Sequence, residues 1–198
     1  MIAYLSGPIE NAENDGADWR LSITHWLKDE INHNVFNPVE ATRGTISGIT
    51  NDEFREMKKT EPEIYKTLIR KIIDIDIKAV VENSDYLIVN WDESVFKGGG
   101  THGEITLAYY LKKPIYLINH VSLDDLSSWI FSCSTEVFDS FDDLKIYLSK
   151  IPDETLYAYN VYQIEGEGRN LFSSILGDED TVMGLPVLKI KELSLIHI

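Results

Sequence analysis

Apolar residues follow two alternating rhythms along this chain. Residues 2–6 form a short apolar run that stops at Gly7-Pro8, as a buried strand does when it leaves a sheet for a loop. Over residues 17–32, Trp19, Ile23, Trp26, Leu27 and Ile31 recur at helical spacing, and Val35-Phe36-Asn37-Pro38 reads as a second short strand. Residues 39–59 are mostly polar, contain Gly44 and Gly48, and predict a loop with a short helical piece near 52–58. A stronger helix starts with Pro62 in its first turn and carries Ile64, Leu68, Ile72, Ile75 and Ala79 as its buried stripe, ending near Asn83-Ser84. A strand over 86–90, a glycine-rich loop, a helix over 101–111 and a strand over 114–119 make a second βαβ unit. Ser140, followed by Asp142 and Asp143, predicts the capped start of a last helix reaching residue 150.

Strands that alternate with helices predict an α/β fold, a doubly wound parallel sheet with helices on both faces and ligands at the carboxyl ends of its strands. Residues 1–151 are expected to form this domain. Residues 152–198 are read as a small C-terminal extension, with strands over 156–164 and 185–193. A length of 198 residues suits one sizeable core, and 43% hydrophobic with 26% charged residues is the composition of a packed protein.

The formal charge of -15 opposes binding to a nucleic-acid polymer, whose backbone is recognised by clustered Lys and Arg. A lone cysteine, Cys133, makes no intramolecular disulfide, and the opening MIAYLSGPIE lacks a signal peptide's basic and apolar regions, so a cytoplasmic protein is expected. No apolar stretch approaches the roughly 18 residues of a membrane span.

The most informative stretch is Gly98-Gly99-Gly100-Thr101-His102-Gly103-Glu104, between a strand and a helix. Its glycines, with Thr101, let another molecule approach the main chain, and Glu104 in the first helical turn could reach into the cleft above the strand ends. A second role also fits: Thr101-x-x-Glu104 is a capping-box pattern, in which the glutamate only bonds back to its own helix. Asp76 falls within the apolar stripe of its helix, and an inward carboxylate is costly unless paired, which makes it a site candidate beside the alternative of a partly exposed edge residue. Tyr4, in the first strand, is either core or a phenol reaching the same cleft. His102 has no second ligand at convincing spacing, so neither a metal nor a cofactor is expected.

Tyr4-Leu5-Ser6-Gly7-Pro8-Ile9, Trp19-Arg20, Asn37-Pro38, Asn83-Ser84-Asp85, Gly100-Thr101-x-x-Glu104, Ala108 and Lys113-Pro114-Ile115, in this order, resemble the nucleoside 2-deoxyribosyltransferase family over residues 1–150. The resemblance implies a flavodoxin-like (Rossmann-like) sheet and a glutamate, here Glu104, that attacks C1′ of a 2′-deoxynucleoside. A covalent sugar ester forms, and the sugar then passes to another free nucleobase or to water. It further implies that Tyr4 orients the nucleophile, that Asp76 assists proton transfer to and from the base, and that Gly7, Pro8 and Ile9 line the base pocket. It also implies a homo-oligomer whose neighbouring subunit completes each active site through the segment holding Asp125 and Ser127.

Three departures bear on these roles. Asp76 lies nine residues before Asp85 where relatives have eight, and Gly98 stands where relatives carry a serine or aspartate that contacts the sugar, leaving Asp92 or Ser94 to substitute. Glu10 stands where the related deoxynucleoside monophosphate hydrolases carry a phosphate-holding arginine, which favours nucleosides over nucleotides. Three other readings remain open. They are an N-glycosidase of 2′-deoxynucleoside 5′-monophosphates, a phosphoribohydrolase with a similar glycine loop, and a non-catalytic nucleotide-binding module.

Overall fold

In the computed structural model, which describes residues 1–151 apart from 10, 11, 46 and 47, five strands form one all-parallel sheet in the order β2-β1-β3-β4-β5. They are β1 (Ile2–Ser6), β2 (Asn34–Phe36), β3 (Tyr86–Trp91), β4 (Ile115–Asn119) and β5 (Glu136–Phe138). Every residue of β3 and β4 is buried, as expected of parallel strands covered on both faces. The edge strands β2 and β5 have only three residues each, which leaves little unpaired backbone.

From β1 the chain moves outward to β2, then crosses back to β3 and continues to β5. With right-handed crossovers, this reversal sends the helices to opposite faces. Helix α1 (Ala17–Ile31) and α7 (Phe141–Leu148) cover one face, meeting Ala3, Leu5, Ile88 and Ile118 through Ile23, Leu27, Leu144 and Leu148. Helices α4 (Pro62–Glu82), α5 (Gly100–Tyr110) and α6 (Ser128–Cys133) cover the other, meeting Tyr4, Leu87, Val89 and Leu117 through Ala79, Val80, Ile105, Ala108 and Ile130. The 2-1-3-4-5 order is that of the flavodoxin-like fold, whose ligand crevice opens between β1 and β3 at their carboxyl ends.

The structure corrects several sequence expectations. Residues 39–59 are more helical than predicted: Asn37 caps α2 (Pro38–Thr42), and Thr50 with Glu53 forms a capping box opening α3 (Asn51–Thr60). Asn37 and Pro38 thus head a helix and do not end a strand. Ile64, predicted in the buried stripe of α4, is 52% exposed. This helix has 21 residues, about 30 Å, and its amino-terminal half outruns the sheet to lie against α3, where Tyr65 meets Phe54. Helix α6 and strand β5 were not foreseen at all. The strands expected at 156–164 and 185–193 lie outside the described residues.

Two charged side chains fasten the amino ends of the strands. Asp85 accepts a hydrogen bond from the Ile2 amide at 2.6 Å, tying the start of β1 to that of β3. Lys113 donates to the carbonyls of Val80, Val81 and Ser84 at 2.6, 2.9 and 2.5 Å, closing the carboxyl end of α4. Lys113→Met strips three carbonyls of one charged donor and is expected to destabilise the domain by about 1–3 kcal/mol in urea unfolding, with no change in the m-value.

Candidate active site

Side chains two apart on a strand share a face, so Tyr4 and Ser6 both point toward the α4/α5 layer while Leu5 points toward α1. Helix α5 begins at the carboxyl end of β3 and brings Glu104 to this pair. The Tyr4 hydroxyl donates to Glu104 Oε1 at 2.9 Å, and the Ser6 hydroxyl donates to Oε2. Both carboxylate oxygens are therefore held by β1, across 98–100 residues of sequence.

The capping-box alternative for Glu104 does not hold. The N-cap of α5 is Gly99, with no side-chain cap, so Thr101 already lies inside the helix, where it is buried. The same T-x-x-E pattern does form a capping box at Thr50 and Glu53. The difference lies in where the helix starts: it begins at Gly100, two residues earlier than a Thr101 cap would have it, and this releases Glu104 from its own helix end.

Asp76 stands on α4 at the same layer, half-buried, with Oδ1 buried and without a hydrogen-bond partner. Burial, then the negative charge of Glu104, raises its carboxyl from the ordinary 3.8 to about 7, against the opposing pull of the Tyr4 hydroxyl and Arg20. Burial also raises Glu104, while the bonds from Ser6 and Tyr4 and the charge of Arg20 pull it back down. Burial and the two carboxylates push the Tyr4 phenol far upward, so its hydroxyl remains a donor. Tyr4 is further fixed by stacking on Phe36, with ring centroids 5.4 Å apart and planes 8° apart. Burial raises both carboxyls, and because each stands beside the same phenol the two titrate as a coupled pair.

Gly7, Pro8 and Ile9 form the loop leaving β1. A Cβ on Gly7 would meet Trp19 Cζ2 at 3.0 Å and the Asn90 carbonyl at 3.1 Å, so this glycine lets the loop lie against α1 and the end of β3. Gly98, Gly99 and Gly100 are exposed, and at Gly98 and Gly99 an added Cβ would meet nothing within 4 Å. Their φ angles in the cap region, -112° at Gly98 and -108° at Gly99, are open to any residue. Among the described residues, no close contact requires glycine at 98 or 99.

The hydrogen bonds described for the remaining expected residues are local and do not involve Glu104. Asp92 caps the 3-10 turn Glu93–Lys97, accepting from the Ser94 amide at 2.7 Å, which occupies the carboxylate locally. Asp125 is exposed and accepts from the Ser122 hydroxyl at 2.7 Å, while Ser127 is exposed at the start of α6. Residue 10, the position of the phosphate-binding arginine in the related hydrolases, lies outside the described residues.

Three residues escaped the site prediction. Ser6 is the second donor to Glu104, and its period-two relation to Tyr4 was the available signal. Arg20 is fully buried among backbone carbonyls. Asn90, at the end of β3, accepts through its amide oxygen Oδ1 from His120 Nε2 at 2.8 Å.

No family model matches the chain. Among solved structures, the 2-deoxyribosyltransferase of Bacillus psychrosaccharolyticus superposes with a TM-score of 0.51 at 17% identity, over 79% of this chain and 96% of that one. A 2-deoxyribosyltransferase from Leishmania mexicana gives 0.47 at 16% identity, over 75% and 97%. The likeness to the Bacillus protein establishes a shared fold. Among curated proteins, a nucleoside triphosphate pyrophosphatase of Pelagibacter ubique is 76% identical over 53 residues, 27% of each chain. A 7-methyl-GTP pyrophosphatase of Bartonella henselae is 45% identical over 49 residues, 25% of each. The chain thus spans about a quarter of the length of the curated relatives it matches.

The charge state of Asp76 has a signed consequence for stability. Between about pH 4 and 7 the folded protein keeps the Asp76 proton that the unfolded chain releases, so this group's stabilising contribution is complete below pH 4 and is lost as pH rises through 7. Asp76→Asn removes that dependence. The melting temperature of the variant minus that of the parent is expected to grow from pH 4 to pH 7.5, and an unchanging difference would show that Asp76 ionises normally.

Proposed function

We propose that this chain is an N-deoxyribosyltransferase that cleaves the glycosidic bond of a 2′-deoxynucleoside through a covalent deoxyribosyl-Glu104 intermediate and passes the sugar to another nucleobase. The observation that carries this reading is the Tyr4–Glu104–Ser6 arrangement at the carboxyl end of β1, with Asp76 beside it. A carboxylate held through both oxygens, but free of its own helix end, supports a role in attack on an anomeric carbon; its negative charge would also stabilise the oxocarbenium-like transition state. Asp76, with a carboxyl near pH 7, gives a proton to the departing base and recovers it from the incoming one.

The glycines at 98–100 support the reading, since they leave the main chain open to a sugar. In this reading Gly7, Pro8 and Ile9 line the base side of the crevice, and the buried Thr101 of α5 belongs to the same substrate site. Asp125 and Ser127 belong to an exposed surface that also presents Leu123, Trp129 and Phe131, and we assign this surface to contact with a second copy that completes the site. Residues 1–151 constitute the catalytic domain.

Incubation with deoxyinosine and free adenine is expected to yield deoxyadenosine; release of free deoxyribose alone would identify a hydrolase. Glu104→Gln is expected to lose nearly all turnover, and Tyr4→Phe, which deletes one bond to the carboxylate, to lower kcat about 10–100-fold. Mass spectrometry after exposure to a 2-fluoro-2-deoxynucleoside is expected to find the sugar on Glu104; a labelled residue elsewhere would overturn the assignment.

The shared site has its own test. Mixing inactive Glu104→Gln with a weakened Asp125→Ala variant is expected to restore activity through hybrid oligomers carrying one intact site. A mixture no more active than its components would remove Asp125 from the site.

A further inference from the structure

Arg20 has 0% exposure, and its side-chain donors all go to main-chain oxygens. Nε donates to Leu5 O at 3.4 Å, Nη2 to Gly7 O at 2.9 Å, and Nη1 to Pro8 O, Asp15 O and Gly16 O at 3.3, 3.3 and 3.0 Å. The first two carbonyls flank Ser6, the residue that donates to Glu104. The last two come from a turn in left-handed conformation, with φ of 49° at Asn14, 51° at Asp15 and 66° at Gly16. Consecutive left-handed residues are strained, and such strain persists where surrounding contacts over-determine it. A Cβ on Gly16 would stand 2.6 Å from Arg20 Nη1 and 2.7 Å from Pro8 O, so only glycine lets the turn close on the guanidinium.

Among the described residues this buried guanidinium has carbonyl partners and no carboxylate in direct contact, an arrangement costly for packing alone. The anion it serves lies across the strand. Glu104 approaches the end of β1 from the α5 face, and Arg20 approaches the same peptides from the α1 face. We propose that Arg20 is a positioning residue for the Glu104 reaction, fastening the carbonyls of the two residues that flank Ser6 and supplying the buried positive charge that favours the Glu104 anion. The groups facing Glu104 are Tyr4 and Ser6 from β1 and Asp76 from α4, and Arg20 is the cation that offsets the two carboxylates. Burial lowers its guanidinium to about 10, so it stays charged at neutral pH.

This inference rests on Glu104 being the nucleophile, and its test separates the two. The carboxyl carbon of Glu104, identified in 13C-labelled protein by the resonance missing from Glu104→Gln, is titrated in the parent, Arg20→Lys and Arg20→Met. Arg20→Met is expected to raise the titration midpoint, and with it the acid limb of the kcat/KM profile, by about one pH unit. Arg20→Lys keeps the charge but not the planar fork, so its midpoint is expected to stay near the parent's while KM rises about tenfold through a loosened Gly7–Pro8 loop. A folded Arg20→Met with an unmoved midpoint would overturn the electrostatic role, and an unchanged KM in Arg20→Lys would overturn the clamp. If neither variant folds, the residue is structural and the proposal fails. The midpoint is read without turnover, so it decides about Arg20 even where no sugar adduct forms on Glu104.

Discussion

A carboxylate drawn into a protein must be held by donors or lose its charge, and the carboxyl end of β1 is built around that requirement. Glu104 on α5 takes one hydroxyl from Tyr4 and one from Ser6, both on the same face of the strand. From the opposite face, α1 sends Arg20 to the carbonyls before and after Ser6. Two helices thus grip one strand end from both sides of the sheet, and this is possible because the 2-1-3 order puts β1 in the interior with helices crossing to either face. An edge strand would have offered only half of this support.

The grip also explains why a strained turn is kept. Asn14, Asp15 and Gly16 hold left-handed backbone so that two carbonyls converge on the guanidinium, and Trp19 stacks beneath it, 4.5 Å from ring centroid to Cζ. Gly7 and Pro8 after β1 and the turn that opens α1 are therefore tied to the strand end through one guanidinium. Under the proposed reaction, such ties would hold the carboxylate in place before a substrate binds, as electrostatic preorganisation requires.

Much of the fold was legible because strongly periodic segments announce themselves: β1, α1, β3, β4 and α7 follow from apolar runs or stripes bounded by glycine, proline or a capping serine. Strand β5 and helix α6 did not, since three and six residues are too few to show a period. Ile64 misled because a helical stripe reports a buried face and cannot say how far the sheet beneath it extends. At the candidate site, Glu104 and Tyr4 were visible as motif pieces, but their contact spans a hundred positions and depends on the helix starting at Gly100. Arg20 was visible only as half of Trp19-Arg20; its burial follows from backbone carbonyls, which leave no trace in side-chain pattern. Other pieces, Asp85 and Lys113 among them, work at the opposite end of the sheet and hold strands and helix α4 in register.

Under the proposed reaction, one carboxylate must first attack and later leave, and these demands oppose each other. Hydrogen bonds to both oxygens weaken the nucleophile but stabilise the anion that departs from the sugar ester. Burial acts in the reverse sense, raising the energy of the anion and favouring its neutralisation. A site that held Glu104 too firmly as an anion would not attack, and one that left it unbonded would trap the ester. Burial is the largest influence on Glu104 and raises its carboxyl, while Ser6, Tyr4 and Arg20 pull it back toward the anion. The same balance disfavors using Arg20 for a substrate phosphate: its donors are committed to the main chain, and diverting them would release the peptides that carry Ser6. A substrate whose affinity comes from base and sugar leaves that balance undisturbed.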